Sequence, residues 1–161
     1  MRRAPTYCAY VLLCALCSSC FTIRWVETAP HELDARAKTF SASSDTSNIY
    51  VIYLGSGWNF HAIFLDGAEV GVLNRRRYRL LEVTPGKHSV AEGWSTANQT
   101  VTLITEAGRS YFLRVAEHGA AWLGRQRYTI EIVGEDEGRK LVNELKLAGE
   151  WRSCTGVEHS R

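Results

Sequence analysis

The sequence predicts a mainly β domain: an antiparallel sandwich of roughly seven to eight short strands, closed by one C-terminal amphipathic helix. Three observations lead there. From Asn48 onward apolar residues recur with a period of two, and Gly, Pro and Asp turn signals interrupt them at short intervals. The period lengthens to that of a helix only after Gly134.

Ile49-Tyr50-Val51-Ile52-Tyr53-Leu54 is apolar on both faces, as a central strand must be. After the break at Gly55-Ser56-Gly57, Phe60 to Leu65 reads as the next strand. Asp66-Gly67 then supplies a hairpin turn into Val70 to Leu73. Tyr78 to Val83 follows, and Thr84-Pro85-Gly86-Lys87 has the form of a type II turn before His88 to Glu92. Thr100 to Ile104, Tyr111 to Val115 behind the Ala107-Gly108 turn, and Tyr128 to Ile132 complete the set. Glu135-Asp136-Glu137 open the helix on the side its dipole favours, and Leu141, Val142 and Leu145 form its apolar stripe. Lys146 lies near its end, Gly149 just past it, and Asp136 with Lys140 makes an i,i+4 pair.

The N-terminus reads as an export signal. Arg2 and Arg3 precede an uncharged run with an apolar centre at Ala9 to Leu16, and small Ser18 and Ser19 precede Cys20. The run is too short for a span of about 20 apolar residues. Loss of Arg2 and Arg3 from the 19 basic residues leaves 17 against 17 acidic ones, a neutral mature chain, so nucleic acid is not an expected partner. The expected organisation is a signal over residues 1–20, a linker over 21–47 around Ser41 to Ser47, the domain over 48–147 and a tail over 148–161.

Leu16-Cys17-Ser18-Ser19-Cys20 resembles the lipobox of bacterial lipoproteins, with Cys17 standing where that motif has Leu. The resemblance implies a diacylglyceryl group on Cys20 and a lipid-anchored protein facing the periplasm. Phe21 rather than Asp after the cysteine implies, by the same resemblance, the outer membrane. Ordinary cleavage at the same place would instead release a soluble periplasmic protein.

A second likeness covers most of the remaining chain. Its marks are Ile63 to Leu73, Tyr78 to Val90 with Pro85-Gly86-Lys87-His88, Ala107-Gly108-Arg109-Ser110-Tyr111-Phe112, and the acidic helix opening at Glu135. Together these resemble the bacterial domain of unknown function 2846 family of predicted lipoproteins. The resemblance implies an immunoglobulin-like or related sandwich, and it brings no activity, cofactor or catalytic residue.

The residues themselves offer no catalytic or metal constellation, so no enzyme, cofactor or metal is expected. Cys14, Cys17 and Cys20 have metal-like spacing but lie in the apolar signal without a charge partner. None of the five histidines, His31, His61, His88, His118 and His159, has a second ligand at helical spacing. Gly55-Ser56-Gly57 lacks the frame of a nucleophile elbow. An enzyme would need a cleft joining titratable side chains, such as His61 or His118 with a carboxylate. Two surfaces remain. Arg75, Arg76, Arg77 and Arg79 would meet anionic headgroups if they project from a hairpin end, or form a solvated turn if they do not. Trp58, Trp94 and Trp122 near strand ends would stack on sugars in a glycan- or peptidoglycan-binding module if exposed, or cap the core if buried. The expected partners are therefore a membrane, through the lipid on Cys20, and an envelope protein or glycan.

Overall fold

The computed structural model describes residues 24–57, 59–93, 100–119 and 127–153. They form ten strands and two helices: β1 (Arg24–Thr28), α1 (His31–Ala37), β2 (Ser47–Tyr53), β3 (His61–Leu65), β4 (Ala68–Leu73), β5 (Arg77–Val83), β6 (Gly86–Glu92), β7 (Thr100–Thr105), β8 (Ser110–His118), β9 (Arg127–Val133), α2 (Glu135–Glu144) and β10 (Lys146–Ser153). A six-stranded sheet runs β1-β10-β5-β2-β8-β9 and a four-stranded sheet runs β4-β3-β6-β7.

The doubly apolar β2 lies inside the larger sheet and is buried throughout. Its Ile49, Val51 and Tyr53 join Ile63, Val72, Val90 and Leu103 in a core between the two sheets. Tyr50 and Ile52 point the other way, to a second core beneath the helices with Tyr78, Phe112, Val142 and Leu145. Alternation along one strand thus feeds two cores, and the fold is layered helices on sheet on sheet.

All eight predicted strands are present, but the strand count is ten and the sandwich is not purely antiparallel. β2 pairs with β8 in parallel, as β10 does with β5 through Lys146 and Leu147. The two unpredicted strands, β1 and β10, pair with each other. β1 lies where a linker was expected and β10 spans the expected helix end and tail. The reason is local. The helix stops at Glu144, Leu145 is extended (φ −111°, ψ 178°), and Lys146 already belongs to β10. Gly149 is no helix cap: a side chain there would press on the β1 backbone at Glu27, Thr28 and Ala29, beside the β1 register shift. Within α2 the i,i+4 bridge is Glu135–Arg139 rather than Asp136–Lys140.

Asp66 and Gly67 both have positive φ (51° and 84°), as a tight hairpin of this hand requires. Gly86 does not complete a type II turn. Its φ is 149° against about 80° for that corner, because Gly86 already pairs with Thr105 in β6 and the connection carries the chain from one sheet to the other.

Candidate functional site

The four arginines of the predicted cluster divide into three environments. Asn74, Arg75 and Arg76 make the turn between β4 and β5, where the chain crosses between sheets. Arg75 and Arg76 both adopt left-handed backbone, at φ 39° and 48°. Arg76 is exposed, and its backbone N–H donates to the Gly55 carbonyl at 2.9 Å, tying the turn to the Gly55-Ser56-Gly57 loop. Arg77 opens β5 and folds back, donating to Asn74 Oδ1 at 2.7 Å and to Thr28 Oγ1 at 3.2 Å.

Arg79 is not a surface cation. Its position two and four residues before the core residues Leu81 and Val83 turns it between the sheets. There its guanidinium donates to the carbonyls of Val72 at 3.3 Å and Gly149 at 3.0 Å. It lies against Gly71, whose missing side chain leaves the space it occupies. This is where β10 parts from β5, so the guanidinium serves two carbonyl groups near that gap. Burial lowers the pKa of both Arg77 and Arg79, and for Arg77 the nearby charge of Arg75 adds to it. Beside the gap a groove of about 560 Å³ runs between α1, residues 41–48 and β5, lined among others by Leu33, Arg36, Leu80, Glu82 and Leu147.

A second titratable group lies inside the sandwich at the same end. His61 and Glu92, each 1% exposed, meet at 3.2 Å between Nδ1 and Oε1. The rings of Tyr53 and Tyr128 pack on the imidazole with centroids 4.2 and 4.4 Å away. Tyr53 reaches Glu117 at 3.4 Å, and Tyr128 accepts from Asn59 at 2.6 Å. Burial pushes the Tyr128 hydroxyl up to about 12 and raises that of Tyr53 as well. His61 Nε2 is buried with no hydrogen-bond partner among the described residues. The cluster thus joins a histidine to a carboxylate, but within the core rather than in an open cleft. His118 stands at an exposed strand end, bonded to Thr129 at 2.8 Å and 3.7 Å from Glu131. Among the described residues no three His, Cys, Asp or Glu side chains are placed to hold a metal ion.

Cys20, Trp58, Trp94, Trp122 and Cys154 lie outside the described residues. No helix among the described residues is long and apolar enough to cross a membrane.

His88 holds the opposite end of the sandwich together. Its Nδ1 is 2.7 Å from Asp66 Oδ2 and its Nε2 2.7 Å from the Thr84 carbonyl. Both partners are acceptors, so both bonds form only with the imidazolium, in which each nitrogen donates. Asp66 also accepts from the Ser89 backbone at 2.7 Å. The Asp66 carboxylate and the Thr84 carbonyl raise the His88 pKa above 6.5, while His88 and Ser89 lower that of Asp66 below 3.8. Stability from His88 is therefore full below 6.5 and lost as pH rises through the higher folded value; that from Asp66 is full above 3.8 and lost as pH falls through the lower one. Thermal melting of His88→Gln against wild type should show the deficit shrinking as pH rises past the histidine range. A deficit constant across that range would mean that the ring contributes by packing alone.

No family model matches the chain, and no solved structure matches it. The chain is similar to an uncharacterized protein of Haemophilus influenzae, 25% identical over 137 residues, which is 83% of this chain and 78% of the relative.

Proposed function

We propose that the protein is a lipid-anchored module of the bacterial cell envelope that works by binding at a membrane surface, not by catalysis. The observation that carries this reading is the order of the first 20 residues: Arg2 and Arg3, the apolar run Ala9 to Leu16, and small Ser18 and Ser19 before Cys20. β1 starts at Arg24, four residues beyond Cys20. Four residues span at most about 14 Å, so acyl chains on Cys20 would hold the sandwich directly against the bilayer. Two or more chains make such an anchor stable, at about 0.8 kcal/mol per buried CH₂. The resemblance of residues 63–90 to predicted lipoproteins supports the same reading, and Phe21 favours the outer membrane.

Metabolic labelling with a fatty-acid analogue tests it. Wild type should incorporate the label and Cys20→Ala should lose it completely. Equal labelling of the variant would defeat the assignment of Cys20, and an unlabelled wild type would defeat the anchor.

A further inference from the structure

The turn between β4 and β5 puts arginine where backbone chemistry asks for glycine or asparagine. Left-handed backbone costs an L-residue with a long side chain about 1–2 kcal/mol, and only Gly, Asn and Asp enter it routinely. Here two consecutive arginines, Arg75 and Arg76, adopt it. Such a conformation persists only where the surrounding structure fixes it, and it clusters at active sites, ligand clamps and switch regions.

The charges around this turn point to which of these it is. Elsewhere in the described residues three arginines sit on carboxylates: Arg109 on Glu106, Arg114 on Glu131 and Glu137, Arg139 on Glu135. At the turn, Arg77 and Arg79 donate only to neutral oxygens, and Arg76, exposed, has no carboxylate within bridging distance among the described residues. The turn thus presents at Arg76 a positive charge that no carboxylate among the described residues neutralises. The main-chain bond from Arg76 to Gly55 holds it beside the Gly55-Ser56-Gly57 loop.

We infer that the Asn74–Arg77 turn, with the adjoining Gly55-Ser56-Gly57 loop, is a binding site for phosphate oxygens. Guanidinium groups match phosphate in planar, paired hydrogen bonds. The site deepens the membrane-surface reading by naming the chemistry that would be met there, but its test does not use the anchor.

The test uses Arg76→Gly and Arg76→Asn, which remove the charge and also relax the backbone. Both should melt at or above the wild-type temperature. Both should also bind phosphatidylglycerol vesicles about fivefold more weakly, the loss of one basic contact worth about 1 kcal/mol, while neither wild type nor variants bind phosphatidylcholine vesicles. Titration with inorganic pyrophosphate identifies the source. An Arg76-dependent response to vesicles alone assigns a lipid headgroup, and one to pyrophosphate alone assigns a soluble phosphate. Wild type binding neither probe, variants binding both as wild type does, or variants melting lower would each overturn the inference. Cys20→Ala, read by labelling, fails or succeeds separately.

Discussion

Gly138→Ala should lower stability by about 2 kcal/mol, although it replaces the second-worst helix former with the best. Propensity favours the change by about 1 kcal/mol in the middle of a helix. Packing opposes it. Gly138 is buried in α2, and a Cβ built there falls inside the contact distance of Phe112 Cγ, with Phe112 Cβ at 2.5 Å and Cδ1 at 2.6 Å. These atoms are the root of a ring held by stacking on Tyr50, with centroids 5.0 Å apart, so the neighbour has no flexible end to move aside. Relief requires lifting α2 from the sheet, and overpacking of this kind costs about 1–3 kcal/mol or more. For a domain of this size the net loss is a fall of roughly 4–8 °C in melting temperature. Pairing Gly138→Ala with Phe112→Leu should recover part of it as a measurable coupling energy. A rise in melting temperature for the single variant would show that the helix moves out freely.

Asp34→Ala should be the most damaging single change, at about 3–4 kcal/mol. Asp34 is buried in α1, 4% exposed. Its Oδ1 accepts from the Tyr78 hydroxyl at 2.8 Å and the Leu147 backbone N–H at 2.9 Å, and its Oδ2 accepts from Lys38 at 2.9 Å. One carboxylate thus joins the first helix, the start of β5 and the start of β10. Truncation leaves the buried Tyr78 hydroxyl only its 3.4 Å bond to the Asp34 carbonyl and strands a part-buried amide, losses of about 1–3 kcal/mol each, and it frees Lys38 to bond only the Leu145 carbonyl. Burial pushes the Asp34 carboxyl up, but the bonds from Lys38, Tyr78 and Leu147 outweigh it and leave the pKa below 3.8. Because the folded value is the lower one, the stabilisation is complete above 3.8 and disappears as pH falls through the folded pKa. Denaturant titrations should therefore find the gap between wild type and Asp34→Asn narrowing in acid. A gap that persists at the lowest pH would place the effect in shape rather than charge.

Neither Asp34 nor Glu92 was legible in the sequence as a functional position. Asp34 sits in a stretch with no clean period, and beyond Lys38 its partners Tyr78 and Leu147 are 44 and 113 residues away. Glu92 looked like a polar strand end, because His61 lies 31 residues off and only the β3–β6 pairing brings them together. Arg79 is different. Its spacing from Leu81 and Val83 already placed it on the core side, but the run from Arg75 to Arg77 made it look like one more loop charge. The eight predicted strands were readable because alternation and turn residues are local signals. β1 was hidden by the lack of clean alternation before Phe40, and β10 by a helical stripe running up to Leu145. The parallel pairing of β2 with β8 has no local signature, since its partners lie 62 residues apart in the chain.

The pairing of β1 with β10 makes the two ends of the domain one structural unit. The first described strand to emerge during synthesis meets its sheet neighbour only after the last has been made. Such a closure requires a very large loop and is slow by nature. Until it happens, β1 offers a bare edge to any other chain nearby. A ribosome-bound or incompletely synthesised chain would therefore be the most adhesive form of this molecule, and any truncation removing Lys146 to Ser153 would make that form permanent.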